Sequence, residues 1–205
     1  MIKIDTGVDS ILRYDDCLTQ EQCAKIINCI PDHIFHDNFE TISDESDGLP
    51  WNTQNNFYWQ NIQDEEVREI IRAHRWKVCE RVNAEMNFDS EVYPHFTDIC
   101  IWQPGISMGV HTDDGEVLSE EHLYCRHASS ITYLNDNYKG GYTFIEYDDR
   151  RETYYSRPKS GSCVMFYSDM RSPHGVTEVI GNPRITMALW MTMDKNEIEP
   201  DYHER

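Results

Sequence analysis

His111-Thr112-Asp113, then Ser172-Pro173-His174-Gly175, then Pro183-Arg184-Ile185-Thr186 is the series from which the rest of this chain can be read. On an extended segment, residues two apart point the same way, so the His111 imidazole and the Asp113 carboxylate can share one cation. Asp114, the alternative carboxylate, would point away from His111. A third donor has to come from elsewhere, and His174, in its Ser-Pro-His-Gly turn, is the candidate. Two histidines and one carboxylate make a facial triad with open positions, a donor set suited to non-haem Fe(II).

Open positions on such an ion leave room for a chelating 2-oxo acid and for dioxygen. A dicarboxylic 2-oxo acid such as 2-oxoglutarate has a distal carboxylate left over, and that group needs a fixed cation. Arg184, ten residues beyond His174, is permanently charged and forks onto a carboxylate through two parallel hydrogen bonds, which lysine cannot do. Thr186 lies two residues on, on the same strand face, where its hydroxyl can reach the same carboxylate.

Outward from this series the pattern is one of short β-rich runs, at 95–103, 128–135, 142–147, 152–156, 162–167, 174–179 and 184–193. Turn residues separate them, notably Asn135 to Gly141 and Pro158 to Gly161. Many short strands spaced this way predict two facing sheets, a sandwich or jelly roll. The segment from Gly115 to Ala128, with His122, Cys125 and His127, interrupts the rhythm just after Asp113. Without a carboxylate pair or a CxxC to complete a cage, it reads as a polar loop or lid over the site mouth rather than as a second metal site.

Taken together, residues from about Tyr93 to Asp194 resemble the catalytic core of the 2-oxoglutarate- and Fe(II)-dependent dioxygenases, and within them the prolyl hydroxylase branch. The stretches that carry the resemblance are His111-Thr112-Asp113, Tyr133-Leu134-Asn135-Asp136, Gly140-Gly141-Tyr142-Thr143-Phe144, Pro158-Lys159-Ser160-Gly161, Pro173-His174-Gly175-Val176 and Arg184 to Asp194. The resemblance covers about half the chain. It implies a mainly β fold with flanking helices around a double-stranded β-helix (jelly-roll) core. It also implies Fe(II) on His111, Asp113 and His174, 2-oxoglutarate on Arg184, O2 as oxidant, and ascorbate in the assay.

Two departures from that branch concern the substrate side. Where many prolyl hydroxylases carry a tyrosine that helps hold 2-oxoglutarate, this chain has Trp102, which offers an indole donor; Tyr133 is the residue expected to supply the missing contact. Tyr142 follows Gly140-Gly141 where an acidic or aliphatic residue is common. Trp190 falls on the face of Arg184 and Thr186 by strand alternation, the position at which the branch presents an aromatic ring to its target proline. A halogenase of this fold would lack the carboxylate at Asp113, and a nucleic-acid demethylase adds a second arginine absent from Ile185 to Met193.

Before Tyr93 the chain reads as support. Thr19-Gln20-Glu21-Gln22 is a capping box, followed by Cys23, Ile26, Ile27 and Ile30 at helical spacing up to Pro31. Asp64 opens a longer helix with Val67, Ile70, Ile71, His74, Val78, Val82 and Met86 on one face; His74 there is a core histidine. Between them, 33–60 is expected to be irregular, with Trp51, Tyr58 and Trp59 pinning it to the core. The expectation is one domain over 1–205, with a helical N-terminal support of about 1–92 and a jelly-roll core of about 93–194.

The 205 residues carry 37 acidic against 18 basic side chains, a net charge of −19, which disfavours nucleic acid as a partner. Seven cysteines, an odd number without CxxC pairs, read as reduced thiols. With neither a signal-peptide pattern nor an apolar run of membrane length, a soluble cytoplasmic protein is expected. The sequence leaves the substrate open among a prolyl residue in a peptide or protein, a free amino acid and a small metabolite. A jelly-roll binding module without catalysis is the alternative from another class, and oligomeric state is not legible.

Overall fold

The computed structural model describes residues 1–36, 54–114, 125–148 and 150–200. In chain order the elements are β1 (Ile2–Ile4), β2 (Leu12–Asp15), α1 (Gln20–Asn28), α2 (Asp32–His36), β3 (Gln54–Tyr58), α3 (Glu65–Glu85), β4 (Tyr93–Trp102) and β5 (Met108–His111). They continue with β6 (Ala128–Tyr133), β7 (Lys139–Gly140), β8 (Thr143–Glu146), β9 (Thr153–Ser156), β10 (Cys163–Tyr167), β11 (His174–Val176), β12 (Val179–Ile180) and β13 (Arg184–Thr192). One sheet has seven strands in the order β1-β2-β10-β6-β13-β4-β3, a second has four, β5-β11-β8-β9, and β12 pairs with β7.

Strand alternation sorts the core into layers. Odd residues of β13, among them Ile185 and Met187, join Ile99, Ile101 and Phe57 on the outer face of the large sheet, where Ile26 of α1 and Val67 and Ile71 of α3 cover them. Farther along, Cys163, Met165, Leu189 and Met191 pack under Val78, Cys79 and Val82 of α3. Even residues face the other way: Val164 and Phe166 meet Ile145 of the small sheet, and Cys100, Trp102 and Ala188 meet Val176. β10 is buried throughout because it lies in mid-sheet with both faces covered.

Both helix starts follow from their caps. The Thr19 hydroxyl accepts from Gln22 N while the Gln22 side chain accepts from Thr19 N, and the Asp64 carboxylate accepts from Val67 N. His74 is fully enclosed, its Nε2 2.8 Å from the Thr132 hydroxyl, and burial followed by nearby Lys77 pushes it down to about 4. The C-terminal segment is tied to α3 by Glu199, whose carboxylate accepts from Arg75 Nη2 at 2.6 Å, Thr97 Oγ1 at 2.8 Å, Gln60 Nε2 at 2.5 Å and Trp59 Nε1 at 3.2 Å. Such a buried charge is tolerable only with this many donors.

The N-terminal ninety residues are more than helical support. β1 and β2 extend the large sheet on one edge through the β2–β10 ladder, and β3 closes the other edge against β4. The Gln54–Tyr58 strand lies in the span read as irregular; its QNNFY run has little apolar alternation, and pairing with β4 supplies what propensity lacks. Trp59 is fully buried in the helix-side core, Tyr58 is 46% exposed, and Trp51 lies outside the described residues. The Gly115–Ala128 loop, including His122, lies outside them up to residue 124.

Gly161 decides how the N-terminal strands dock. Its φ is +81°, its carbonyl accepts from Cys17 N and Leu18 N, and a Cβ there would stand 2.1 Å from the Leu18 carbonyl oxygen. Gly161→Ala is expected to lower unfolding free energy by about 2–3 kcal/mol in urea titrations, from left-handed backbone strain plus the contact. A loss within about 0.5 kcal/mol, the range of ordinary surface substitutions, would mean the junction yields freely.

Candidate active site

β5 and β11 are antiparallel neighbours with His174 directly opposite His111. Their imidazole centroids are 4.4 Å apart. β5 ends at His111, so Asp113 lies not on the strand but in the turn beyond it, where its backbone N–H donates to the Ser168 carbonyl at 2.8 Å. That bond, rather than strand periodicity, aims the carboxylate back: Asp113 Oδ2 is 3.3 Å from His174 Nε2 and Oδ1 is 3.7 Å from His111 Nε2. Asp114 turns away and accepts from the Thr112 hydroxyl at 2.8 Å.

The tautomers follow from the partners. His111 Nδ1 is 3.1 Å from the Gly109 carbonyl and His174 Nδ1 is 3.1 Å from the Ser172 carbonyl. A carbonyl only accepts, so each Nδ1 carries the hydrogen and each Nε2 presents a lone pair toward Asp113, as metal-binding histidines do. Burial and then His174 push His111 down to about 4, which keeps it neutral. Burial would raise the Asp113 carboxyl, but the Ser129 hydroxyl, which donates at 2.6 Å, and any proton on the facing His174 and His111 rings outweigh it and hold the group well below the usual carboxylate range; with both rings neutral, a bound cation would take over their part. Ligand atoms of all three residues lie within 4.8 Å of one another. The set fits a divalent ion held by two neutral imidazoles and an ionised carboxylate.

Arg184 opens β13 at 1% exposure. Its Nε donates to the Gly141 carbonyl at 3.0 Å, Nη2 to the Thr143 hydroxyl at 3.1 Å and Nη1 to the Thr186 hydroxyl at 3.3 Å. All three partners are neutral oxygens. Among the described residues no carboxylate lies within ion-pair distance of this buried guanidinium, which leaves it suited to an anion from outside. The guanidinium packs on the rings of Trp102 and Tyr133, at 5.2 and 5.5 Å. Trp102 Nε1 and the Tyr138 hydroxyl are buried without a hydrogen-bond partner among the described residues. A ligand carboxylate would satisfy such donors. The Tyr133 hydroxyl, by contrast, is already committed to Thr143 Oγ1 at 2.9 Å and the Ser156 carbonyl at 3.0 Å.

Sequence reasoning gives no site role to Tyr138, Thr143 or Ser129. Tyr138 sits in a turn, where neither periodicity speaks for it. Its signal is the neighbouring Gly140-Gly141 pair: a Cβ on Gly141, at φ +59°, would meet the Tyr138 ring at 2.8 Å and Arg184 Cδ at 3.0 Å. The glycine leaves room for both side chains. Trp190 shares the inner face with Arg184 and Thr186, as strand alternation predicts, and is half-buried between Phe96, at 5.7 Å between ring centroids, and the Arg126 guanidinium, at 4.3 Å.

Residues 94–192 match the model of the 2OG-Fe(II) oxygenase superfamily. Prolyl 3-hydroxylase 1 of Gallus gallus is 36% identical over 100 residues, which is 44% of this chain and 14% of that protein. Prolyl 3-hydroxylase 2 of Homo sapiens is 33% identical over 104 residues, 50% of this chain and 14% of that protein. The chain therefore spans only a small part of the length of these relatives. Among solved structures, a Trichoplax adhaerens prolyl hydroxylase in complex with a hypoxia inducible factor peptide fragment superposes with a TM-score of 0.72 at 14% identity, covering 93% of this chain and 87% of that one. A Pseudomonas putida prolyl-4-hydroxylase gives a TM-score of 0.67 at 16% identity, covering 93% and 96%. The shared fold is the double-stranded β-helix that the strand pattern and the resemblance led one to expect.

Proposed function

We propose, from the match of residues 94–192 to the 2OG-Fe(II) oxygenase superfamily model and the likeness to prolyl 3-hydroxylases, that this protein is an Fe(II)- and 2-oxoglutarate-dependent hydroxylase whose substrate is a prolyl residue in a peptide or protein. The observation that carries the reading is the pairing of two features: a His111–Asp113–His174 cluster within 4.8 Å and a buried Arg184 whose described partners are all neutral. In the proposal His111, Asp113 and His174 hold Fe(II). Arg184 and Thr186 take the distal carboxylate of 2-oxoglutarate, with Trp102 Nε1 and the Tyr138 hydroxyl as further donors. The bound metal and cosubstrate supply the oxidising equivalent that turns C–H into C–OH, with O2 consumed and succinate and carbon dioxide released.

The chain's own residues position the site. Ser129 and the Ser168 carbonyl hold Asp113 in place, and Phe166 packs on His174 at 4.5 Å. Trp190 is the proposed contact for the proline ring. The domain is proposed as a single unit over 1–205. A reducing, cytoplasmic setting is part of the proposal, supported by seven cysteines free of disulfides; no helix among the described residues is long and apolar enough to cross a membrane. Acidity argues for a basic or neutral polypeptide as substrate.

The test is mass spectrometry of proline-containing peptides after incubation with Fe(II), 2-oxoglutarate and ascorbate. A gain of one oxygen is expected, with Trp190→Ala reducing it roughly tenfold, about 1.4 kcal/mol of transition-state contact. Turnover of free amino acids or a small metabolite instead would keep the metal and cosubstrate roles and remove the prolyl one. Absence of any 2-oxoglutarate turnover would favour the non-catalytic binding module.

A further inference from the structure

We propose that His95, Cys125 and Glu197 form a second metal site, one that takes a borderline-soft divalent ion such as Zn(II). Ligand atoms of the three lie within 4.8 Å of one another, and His95 Nε2 is 3.4 Å from Cys125 Sγ. They come from three separate parts of the chain: the start of β4, the residues just before β6, and a short 3-10 turn at Lys195–Glu197 that follows β13.

The backbone points to a purpose in this meeting. β13 and β4 pair in step from Arg184 opposite Trp102 to Trp190 opposite Phe96, and then Met191 pairs with Pro94. His95 is therefore an extra residue, a β-bulge, and a bulge re-aims its side chain out of the strand's alternation. Here it aims the imidazole at the Cys125 thiol. His95 and Glu197 also line an open cleft of about 560 Å³ shared with Tyr58, Phe96 and Pro200. An ion, and a water for its fourth position, can enter from that side.

One imidazole, one thiol and one carboxylate are donors that zinc accepts in tetrahedral geometry, with bonds of about 2.0–2.3 Å. The sulfur disfavours magnesium and calcium, which take oxygen. Binding needs the thiolate, so the Cys125 proton leaves to solvent as the S–metal bond forms, and no electron transfer is involved. The first site has no sulfur, so the two differ in what they select and in their spectra.

The placement gives the ion something to do. Phe96 follows His95 and Arg126 follows Cys125, and both side chains pack on Trp190. A metal tie between positions 95 and 125 braces the two segments that flank the Trp190 ring. That consequence rests on the proposed function, while the existence of the site does not.

The experiment uses the His111→Ala/His174→Ala double variant, stripped with chelator and titrated with Co(II) and then Zn(II). One ion per chain is expected, with a thiolate-to-cobalt charge-transfer band. Cys125→Ser in that background should abolish the band, and Glu197→Gln, at an exposed position, should weaken binding by more than about tenfold, the lower end of what losing a mere outer partner costs. Circular dichroism checks the fold of each variant. No ion bound by the double variant, or a band that survives Cys125→Ser, overturns the site. Succinate formation by the unaltered protein reads the first site separately.

Discussion

His174→Ala is expected to abolish Fe(II) binding and, with it, 2-oxoglutarate-dependent succinate formation, while far-ultraviolet circular dichroism stays close to that of the unaltered protein. His174 is 5% exposed and sits across the β5–β11 ladder from His111, and among the described residues no further imidazole joins that cluster to take over its Nε2. Removing it leaves one imidazole and one carboxylate. Loss of a mere outer partner already costs roughly 10–100-fold in metal affinity or activity, and loss of a direct donor should exceed that. The structural cost is smaller, because β11 is held by its pairing to β8 as well as to β5. His111→Ala should behave alike. Metal analysis after anaerobic reconstitution is the measurement; full iron occupancy in both variants would mean the metal sits elsewhere.

The second large effect is expected at Arg184. Arg184→Ala should raise the 2-oxoglutarate concentration needed for half-maximal turnover by roughly 30- to 1,000-fold, the equivalent of about 2–4 kcal/mol for truncating one partner of a buried, hydrogen-bonded charge pair. Arg184→Lys should fall between, since a lysine keeps the charge but loses the fork that also reaches Gly141, Thr143 and Thr186. The iron content of both variants should be unchanged. An unaltered cosubstrate requirement in Arg184→Ala would assign the distal carboxylate to another residue. Trp102 Nε1 and the Tyr138 hydroxyl, both buried without described partners, would be the next to test.

The legible part of this molecule was the part written in local order and local chemistry. Thr19 and Asp64 announce their helices because a cap bonds to a backbone N–H three residues on. β13 could be read as two faces, Arg184-Thr186-Ala188-Trp190 against Ile185-Met187-Leu189, because side chains alternate along any strand. His111, Asp113, His174 and Arg184 stood out because few residue types bind a metal or fork onto a carboxylate.

Other features depend on partners far away in sequence. QNNFY at Gln54–Tyr58 became a strand only because β4 offers it a free edge, and the hydroxyl of Tyr133, the residue expected at the cosubstrate, meets Thr143 and Ser156 from two other strands, contacts that no local pattern announces. The aim of Asp113 depends on a carbonyl from Ser168, fifty-five residues away, rather than on the alternation the sequence suggested. Cys125, read as part of a polar loop with no ligand partners, acquires His95 and Glu197 through a bulge that no local pattern marks. By itself, then, the sequence determined the identity and order of the chemical groups, because those are properties of single residues and near neighbours. Which groups face one another was decided by strand register and sheet closure, since hydrogen-bonded ladders join segments whose separation along the chain carries no information about their pairing.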